Sequence, residues 1–317
     1  MKMAPCGMNR ITIEDFQRMF NARPDEFPQE FRAAFGSINT AYRQPVQEEF
    51  EEYVLDIVKM INTGVVARSS DENFRAWEKG WGENLEELVS RGISVENLKP
   101  KYFRPNKFLR YNKSLVVTDN LSLEYDLFTL ARQILFRKYL SPFDDIYEFG
   151  CGSCQNLLML LHLFPHKKLV GLDWAAPSVE IAKLIAKHHS REIGGISFDM
   201  LDPPQEVILK PHSAVFTVHA LEQIGNRYEK FLDYLVSSKA SMILHYEPIL
   251  EFYDENNLLD YLALVYSQKR NYLSGFWTAL CRLRDQKKIE IIEARRPFLG
   301  GMIHEASVIA WRPLIDE

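Results

Sequence analysis

Residues 146–154 read Ile-Tyr-Glu-Phe-Gly-Cys-Gly-Ser-Cys, an apolar run that ends in two closely spaced glycines, Gly150 and Gly152. Glycine is favoured where the backbone must approach a ligand without a Cβ atom, and a helix that follows offers free N–H groups at its N-terminus. Asp173 ends the next apolar run, where its carboxylate can accept hydrogen bonds from ribose hydroxyls. The stretch therefore predicts a nucleoside site at the end of a β-strand.

Two residues argue against a dinucleotide in this site. A dinucleotide fingerprint has a third small residue where this chain has Gln155, and ordinarily an apolar residue where it has Glu148. A carboxylate two residues before the first glycine suits a ligand with a cationic amino acid end. The sequence therefore favours a nucleoside that carries such a group.

At this point the chain resembles the class I S-adenosylmethionine-dependent methyltransferases, whose first motif is acidic-x-Gly-x-Gly-x-Gly. Glu148, Gly150 and Gly152 match that motif, and Cys154 replaces the third glycine. The resemblance covers about residues 144–312. It implies a Rossmann-like α/β fold with a seven-stranded, mostly parallel sheet and a reversed last strand. It also implies S-adenosyl-L-methionine as cofactor, with S-adenosyl-L-homocysteine as product.

The resemblance assigns roles to residues that follow the strands. Asp173 would hold the ribose, Trp174 would lie on the adenine, and Asp202 would contact the adenine amine, with Asp199 as its rival. The alternatives are that Asp173 only caps the next helix, that Trp174 belongs to the core, and that Asp202, followed by two prolines, only forms a turn. The residues expected at the cofactor are Glu148, Gly150, Cys151, Gly152, Asp173, Trp174, Leu201, Asp202 and Val218.

The hydrophobic pattern changes near residue 141. Before it, apolar residues recur at helical spacing, which predicts an all-helical extension over residues 1–140 that forms a lid or cap. After it, short apolar runs alternate with helical stretches, which predicts a parallel sheet covered on both faces over residues 141–317. Two helical stretches predict an insertion at about 250–287, ahead of a final strand pair.

Candidates for the methyl-transfer chemistry follow the fourth and fifth predicted strands, because open α/β sheets bind ligands beyond the carboxyl ends of their strands. His219 is the best candidate for a general base, since an imidazole can take up a proton at neutral pH. Glu222 and Glu247 are further catalytic candidates. The alternative is that all three only form hydrogen bonds within their loops.

The stretch from Lys99 to Lys113 contains six Lys or Arg residues, four aromatic residues and no acidic residue. Cations interleaved with rings suit a phosphate or carboxylate on a flat molecule. The sequence therefore predicts an anionic acceptor, and the residues expected to bind it are Arg104, Arg110, Tyr111 and His304. The alternative is that these cations pair with the acidic residues Glu48, Glu49, Glu51 and Glu52.

Composition limits the class of protein. The 317 residues include 38 Lys and Arg against 43 Asp and Glu, so no overall positive field attracts nucleic acid. Four cysteines, with one Cys-x-x-Cys at Cys151 and Cys154, make neither a disulfide framework nor a zinc site. No apolar run approaches about 18 residues. These features predict a cytoplasmic protein with no membrane partner and no metal.

Three functions compete at this stage. The first is a methyltransferase acting on the oxygen or nitrogen of a small molecule, anionic or phosphorylated, enclosed by the helical cap. The second is a methyltransferase acting on RNA or protein, with the basic stretch as its docking surface. The third is a binding subunit that keeps the fold without catalysis. No Asn-Pro-Pro-Tyr-like sequence follows the fourth strand, which argues against methylation of adenine or glutamine amino groups.

Overall fold

The computed structural model describes residues 7–62 and 70–314. For residues 70–74 it describes the backbone but not the side chains. The first half contains β1 (Asn9–Arg10), α1 (Ile13–Phe20), α2 (Gln29–Ser37), β2 (Ala41–Tyr42), α3 (Gln47–Asn62), α4 (Ser70–Arg91), β3 (Phe108–Tyr111), β4 (Ser114–Val117) and α5 (Leu123–Leu135). The second half contains β5 (Asp145–Phe149), α6 (Gln155–Leu163), β6 (Lys168–Asp173), α7 (Ala176–His189), β7 (Ile193–Ser197), β8 (Ala214–Val218), α8 (Glu229–Ser237), β9 (Met242–Glu247), α9 (Leu258–Lys269), α10 (Phe276–Asp285), β10 (Ile289–Arg295), β11 (Leu299–Gly300) and β12 (Ser307–Pro313).

The central sheet has seven strands in the order β10-β12-β9-β8-β5-β6-β7. β12 is antiparallel to both of its neighbours, and the pairs from β9 to β7 are parallel. The predicted mostly parallel sheet with a reversed last strand is confirmed. The chain leaves β5 toward β6 on one side and returns to β8 on the other. This reversal of strand order opens a crevice at the carboxyl ends of β5 and β8.

The N-terminal region is not all helical, and that part of the prediction is wrong. β3 and β4 form a hairpin, and β11 pairs with β3 to complete a three-stranded antiparallel sheet. Asn112 and Lys113 make the turn with φ of 49° and 64°, the left-handed geometry of a two-residue hairpin. Its alternating apolar residues lie within the basic and aromatic stretch, whose charges we interpreted as a ligand-binding pattern rather than as a strand.

One apolar cluster joins the N-terminal helices to the central sheet. It includes Phe16 of α1, Phe31 of α2 and Leu127 of α5, together with Ile146 of β5 and Leu244 of β9. All five side chains are almost completely buried. Burying side chains of this size contributes about 1.5 to 3 kcal/mol each. The N-terminal helices therefore depend on the sheet for their core.

The helices α9 and α10 lie between β9 and β10, where the sequence predicts an insertion. α10 packs against β10, and α9 packs against α3 of the N-terminal region. Among the described helices, none combines the length and the apolar character that a bilayer crossing requires. The insertion thus links the sheet to its N-terminal cover.

Candidate functional site

A cavity of about 930 Å³ lies at the carboxyl ends of β5, β6 and β8. The glycine loop after β5 forms one wall. The opposite walls come from α4, from the segment before β3, from the end of α9 and from the loop between β11 and β12. The cavity is therefore built jointly by the sheet and by the elements that cover it.

Gly150 and Gly152 are required by their surroundings. Both have positive φ, and a Cβ at Gly150 would lie 2.4 Å from Cβ of Ala220, while one at Gly152 would lie 2.7 Å from the ring of Trp81. Cys154, where the resemblance has its third glycine, keeps the left-handed conformation with φ of 59°. The loop thus retains a glycine-like backbone, at a conformational cost for a residue with a side chain.

Cys151 and Cys154 lie with their Sγ atoms 3.7 Å apart, and both are buried free thiols. The hydrogen bond to Cys154, together with burial, raises the pKa of Cys151, and burial raises the pKa of Cys154. Both groups therefore stay protonated, which agrees with a packing role. Cys6, the first cysteine, lies outside the described residues.

Glu148 lies at the cavity with one oxygen unused. Its Oε1 accepts a hydrogen bond of 2.6 Å from Nδ2 of Asn156, whereas Oε2 is buried without a partner among the described residues. Burial raises the pKa of this carboxyl to about 8. A buried oxygen without a donor is costly, so the position suits a ligand that brings a cationic donor.

Arg132 of α5 lies on the other side of Asn156 and also lines the cavity. Its guanidinium donates to Oδ1 of Asn156 at 2.6 Å and to Oε1 of Gln155 at 3.1 Å. Arg132 offers a cation, and Glu148 becomes an anion when the ammonium group of a ligand donates to it, so that the pair complements a zwitterionic amino acid. Sequence reading missed Arg132, because an arginine in a helix before the glycine loop carries no distinctive spacing.

Asp173 lines the cavity and accepts two hydrogen bonds from the backbone. Its Oδ2 accepts from the backbone N–H of Gly152 at 2.8 Å, and its Oδ1 accepts from that of Ala175 at 2.9 Å. Burial raises the pKa of Asp173 to about 6, and the backbone hydrogen bonds oppose that shift. Asp173 therefore holds the glycine loop and Ala175, the N-cap residue, rather than capping the next helix itself. It leaves room for a further hydrogen bond, because each carboxylate oxygen has two lone pairs.

Asp202 lies outside the cavity, and its assignment to the cofactor is wrong. Leu201 does not line the cavity either, and its role stays a prediction. The side chain of Asp202 is 80% exposed and pairs with Lys230 at 2.6 Å. Asp199 takes the inner position, where its Oδ1 accepts from the backbone N–H of Leu201 at 2.8 Å, and the turn directs Asp202 outward. Trp174, Val218, Met200 and Asp199 line the cavity.

The end of the cavity beyond β8 brings together His219, Glu222 and His304. Nδ1 of His219 lies 3.4 Å from Oε2 of Glu222, and Nε2 of His304 lies 3.6 Å from the same oxygen. The other oxygen of Glu222 accepts from Nε2 of Gln223 at 2.9 Å. The sequence placed His219 and Glu222 together, but gave His304 only a role in acceptor binding.

The electrostatics of this group follow from burial and from Glu222. Burial opposes the charged form of His219, but the hydrogen bond to Glu222 and the charges of nearby carboxylates together outweigh burial and raise the pKa of His219. Burial lowers the pKa of His304 to about 4, so that its ring is neutral at pH 7. Glu247 lies behind the cavity wall, accepts from the backbone N–H of Ala220 at 3.0 Å and holds that loop, and burial raises its pKa to about 7.

Arg110 does not reach the cavity, and its predicted role in binding an anionic acceptor is wrong. Its guanidinium is 1% exposed, pairs with Glu305 at 3.0 Å and with Asp260, and donates to the carbonyls of Leu259 and Ile303. The neighbouring Tyr111 packs against another tyrosine away from the cavity wall. β3 is the middle strand of its sheet, so these side chains face protein rather than a ligand.

Other cations of the basic stretch behave differently. Lys107 pairs with Glu52 of α3 at 2.8 Å, so the predicted alternative of pairing with the acidic helix holds for this residue. Arg104 is exposed and lines the cavity mouth, as the acceptor assignment requires. Within this stretch, Lys107 therefore forms a structural ion pair, whereas Arg104 lies at the entrance of the cavity.

Arg270 at the end of α9 was not predicted. Its guanidinium lies 5.2 Å from the ring centre of Tyr266 and 5.6 Å from that of Tyr272, and Nε is buried without a hydrogen-bond partner in the described chain. All three residues line the cavity. A cation stacked on rings, with an unused donor, is suited to an anionic group.

Trp77 and Trp81 of α4 stack 5.4 Å apart at the cavity wall, with ring planes 18° apart. The sequence predicts them as part of an apolar helix stripe, which is the usual meaning of aromatic residues at this spacing. Only the fold reveals that the stripe faces the glycine loop.

No family model matches the chain, and no curated protein matches it. Solved structures do. The 4+2 cyclase SpnF is 11% identical with a TM-score of 0.50, over 79% of this chain and 98% of that one. The 16S rRNA methylase ArmA is 14% identical with a TM-score of 0.43, over 74% and 98%. Geranyl diphosphate C-methyltransferase from Streptomyces coelicolor A3(2) is 11% identical with a TM-score of 0.43, over 61% and 84%.

The strand order, together with the match to SpnF, shows the fold. The chain has the Rossmann-like methyltransferase fold. SpnF is named as a cyclase. A likeness of fold therefore establishes neither the ligand nor the reaction, and both must be argued from the residues of the cavity.

Proposed function

We propose that the protein is an S-adenosylmethionine-dependent methyltransferase that acts on a small anionic acceptor. The observation that carries this proposal is the glycine loop with Glu148. A buried carboxylate oxygen without a donor lies beside two glycines that tolerate no Cβ, and both face the cavity that His219 lines. A ligand with an ammonium group and a flat, closely packed body fits this wall.

The residues present fit the cofactor at each of its ends. Glu148 and Arg132 would hold the ammonium and carboxylate of the methionine part, and Asp173 would accept from the ribose hydroxyls. Trp174 and Asp199 border the space left for the adenine. When bound, S-adenosylmethionine supplies a methyl group on a positively charged sulfur.

The acceptor end supports a small molecule. α4 and the loop between β11 and β12 cover the cavity, which restricts access by a polymer. Arg270 supplies the cation for a carboxylate or phosphate. His219, oriented by Glu222, is placed to take up a proton from the acceptor's hydroxyl or amine, and the enclosing walls exclude water. Methylation of RNA or protein is the alternative, with Arg104 at the entrance, and a non-catalytic binding subunit is the second.

Replacing Asp173 with alanine is expected to weaken binding of S-adenosylhomocysteine about 10- to 100-fold, because hydrogen bonds to a charged acceptor contribute roughly 1.5 to 3 kcal/mol. Calorimetry of the purified protein measures this. The wild type should bind S-adenosylhomocysteine but not NAD.

The matched control is Asp202→Ala, which removes an exposed aspartate outside the cavity and should leave the affinity unchanged. Equal affinity of wild type and Asp173→Ala would remove Asp173 from the cofactor site. Binding of NAD by the wild type, without S-adenosylhomocysteine, would refute the proposed function.

Arg270→Gln is expected to raise the KM of an anionic acceptor about 10- to 100-fold while the affinity for S-adenosylhomocysteine stays unchanged, because a charge-assisted hydrogen bond is lost only at the acceptor. The acceptor is found by screening hydroxyl and amine compounds that carry a carboxylate or phosphate for release of S-adenosylhomocysteine. Arg284→Gln, at an exposed pair with Asp285 on α10, is the control. An unchanged KM would show that the cation does not contact the acceptor.

A further inference from the structure

We propose that His219, Glu222 and His304 bind one divalent ion of a first-row transition metal, in the part of the cavity where the acceptor's nucleophile must lie. This inference rests on the proposed function for the identity of the remaining ligand, an oxygen or nitrogen of the acceptor. The three side chains offer two imidazole nitrogens and one carboxylate oxygen, all within 4.8 Å of one another.

The distances fit a metal polyhedron. A tetrahedron with metal–ligand distances of about 2.0 to 2.1 Å has edges of about 3.4 Å. Nδ1 of His219 and Oε2 of Glu222 are 3.4 Å apart, and Oε2 of Glu222 and Nε2 of His304 are 3.6 Å apart. One carboxylate oxygen therefore already forms two edges of the required size, and the ligand atoms of the two imidazoles lie within 4.8 Å of each other.

Each ligand is held by its own support. His219 has a left-handed backbone with φ of 52°, and its N–H donates to the carbonyl of Tyr246. Strain of this kind in a residue other than glycine is typical of functional sites. Glu222 is oriented by Gln223, which occupies the oxygen that faces away from the imidazoles. Partners of this kind orient ligating groups in metal sites.

His304 is positioned by the buried ion pairs next to it. Glu305, its neighbour in sequence, pairs with Arg110 at 3.0 Å and with Arg296 at 2.8 Å. Arg110 also holds the residue before His304, because its guanidinium donates to the carbonyl of Ile303 at 2.7 Å. The backbone on both sides of His304 is thus fixed to β3. The buried network of Arg110, Arg296 and Glu305 therefore fixes the position of His304 at the cavity.

The ligand set selects the class of ion. Two imidazoles with one carboxylate suit Zn²⁺, Mn²⁺, Fe²⁺ and Co²⁺, whereas Mg²⁺ and Ca²⁺ prefer oxygen ligands throughout. Three protein ligands leave coordination positions open, which is the arrangement of catalytic rather than structural sites. Because all three residues line the cavity, the open positions face the space reserved for the acceptor. The sequence alone predicts no metal, since His304 lies far along the chain from His219.

The test uses the full-length protein after dialysis against EDTA, titrated with Co²⁺ and with Zn²⁺ and assayed for metal content. We expect one ion per chain and, with Co²⁺, visible absorption bands without a thiolate-to-cobalt band, which would distinguish these ligands from Cys151 and Cys154. His304→Ala should weaken binding by at least about 10-fold, since even the loss of a supporting contact costs that much. His166→Ala, an exposed histidine on the surface, is the control.

Binding of S-adenosylhomocysteine is measured on the same samples. Stoichiometric metal that is lost in His304→Ala, with the cofactor affinity retained, supports the inference. Absence of stoichiometric metal, a thiolate band, or equal binding by His304→Ala overturns it. Turnover that persists in EDTA also overturns it while leaving the proposed function intact. Failure of the wild type to bind S-adenosylhomocysteine counts against the proposed function instead.

Discussion

Replacing His219 with alanine is expected to lower kcat for methyl transfer by about 10²- to 10⁴-fold, the range that a positioned proton-transfer group contributes. His219 lies next to Glu222 just after β8, and both residues line the cavity. Its loss removes the group that receives the acceptor's proton or, where a metal is bound, one of the three ligands, since a ligating imidazole has no second lone pair for that proton. The measurement is the rate of S-adenosylhomocysteine formation at saturating acceptor.

The variant should bind S-adenosylhomocysteine as tightly as the wild type, because the cofactor residues lie around Glu148 and Asp173. A matched His166→Ala variant, altered at the surface, should keep the wild-type rate. A rate within about threefold of wild type for His219→Ala would mean that neither role is correct.

Replacing Arg110 with glutamine is expected to lower the free energy of unfolding by about 3 to 5 kcal/mol, because it leaves Asp260 and Glu305 buried with one cation fewer. Arg110 also joins β3 to α9 through the carbonyl of Leu259, and to the loop between β11 and β12 through the carbonyl of Ile303. Urea unfolding followed by circular dichroism measures the change.

The control is Lys107→Gln, three residues earlier, whose partially exposed pair with Glu52 should contribute at most about 1 kcal/mol. If Arg110→Gln kept wild-type stability and instead raised the KM of the acceptor, the original assignment of Arg110 to the acceptor would stand and the buried network would not.

The fold was predictable because its signals are local. The run from Ile146 to Cys154 and the acid at Asp173 lie within a single strand–helix–strand unit, so their spacing carries the geometry. Alternating strands and helices then predict the sheet. The hairpin of β3 and β4 was not predictable in this way. Its pattern is interrupted by Arg110, a charge that is buried only because Asp260 and Glu305 come from elsewhere in the chain.

The candidate site likewise has a part that local sequence predicts and a part that depends on distant segments of the chain. Its glycine-loop end contains residues named from the sequence, apart from Arg132, and the roles assigned to them stay predictions. Its acceptor end is assembled from the ends of α4 and α9 and from the loop before β12, which only tertiary packing brings together. Asp202 was assigned wrongly for a different reason. A single turn decides whether Asp199 or Asp202 points toward the cavity, and the two prolines after Asp202 do not indicate which of the two it is.

The position of β12 has a consequence for synthesis. This strand comes after β10 in the chain, yet it lies between β9 and β10 in the sheet. On the ribosome, β10 cannot pair with the sheet until residues 307–313 have emerged. The N-terminal helices, made first, share their core with that sheet and must wait with apolar faces uncovered. Such a long delay between early and late contacts favours slow folding and dependence on chaperones.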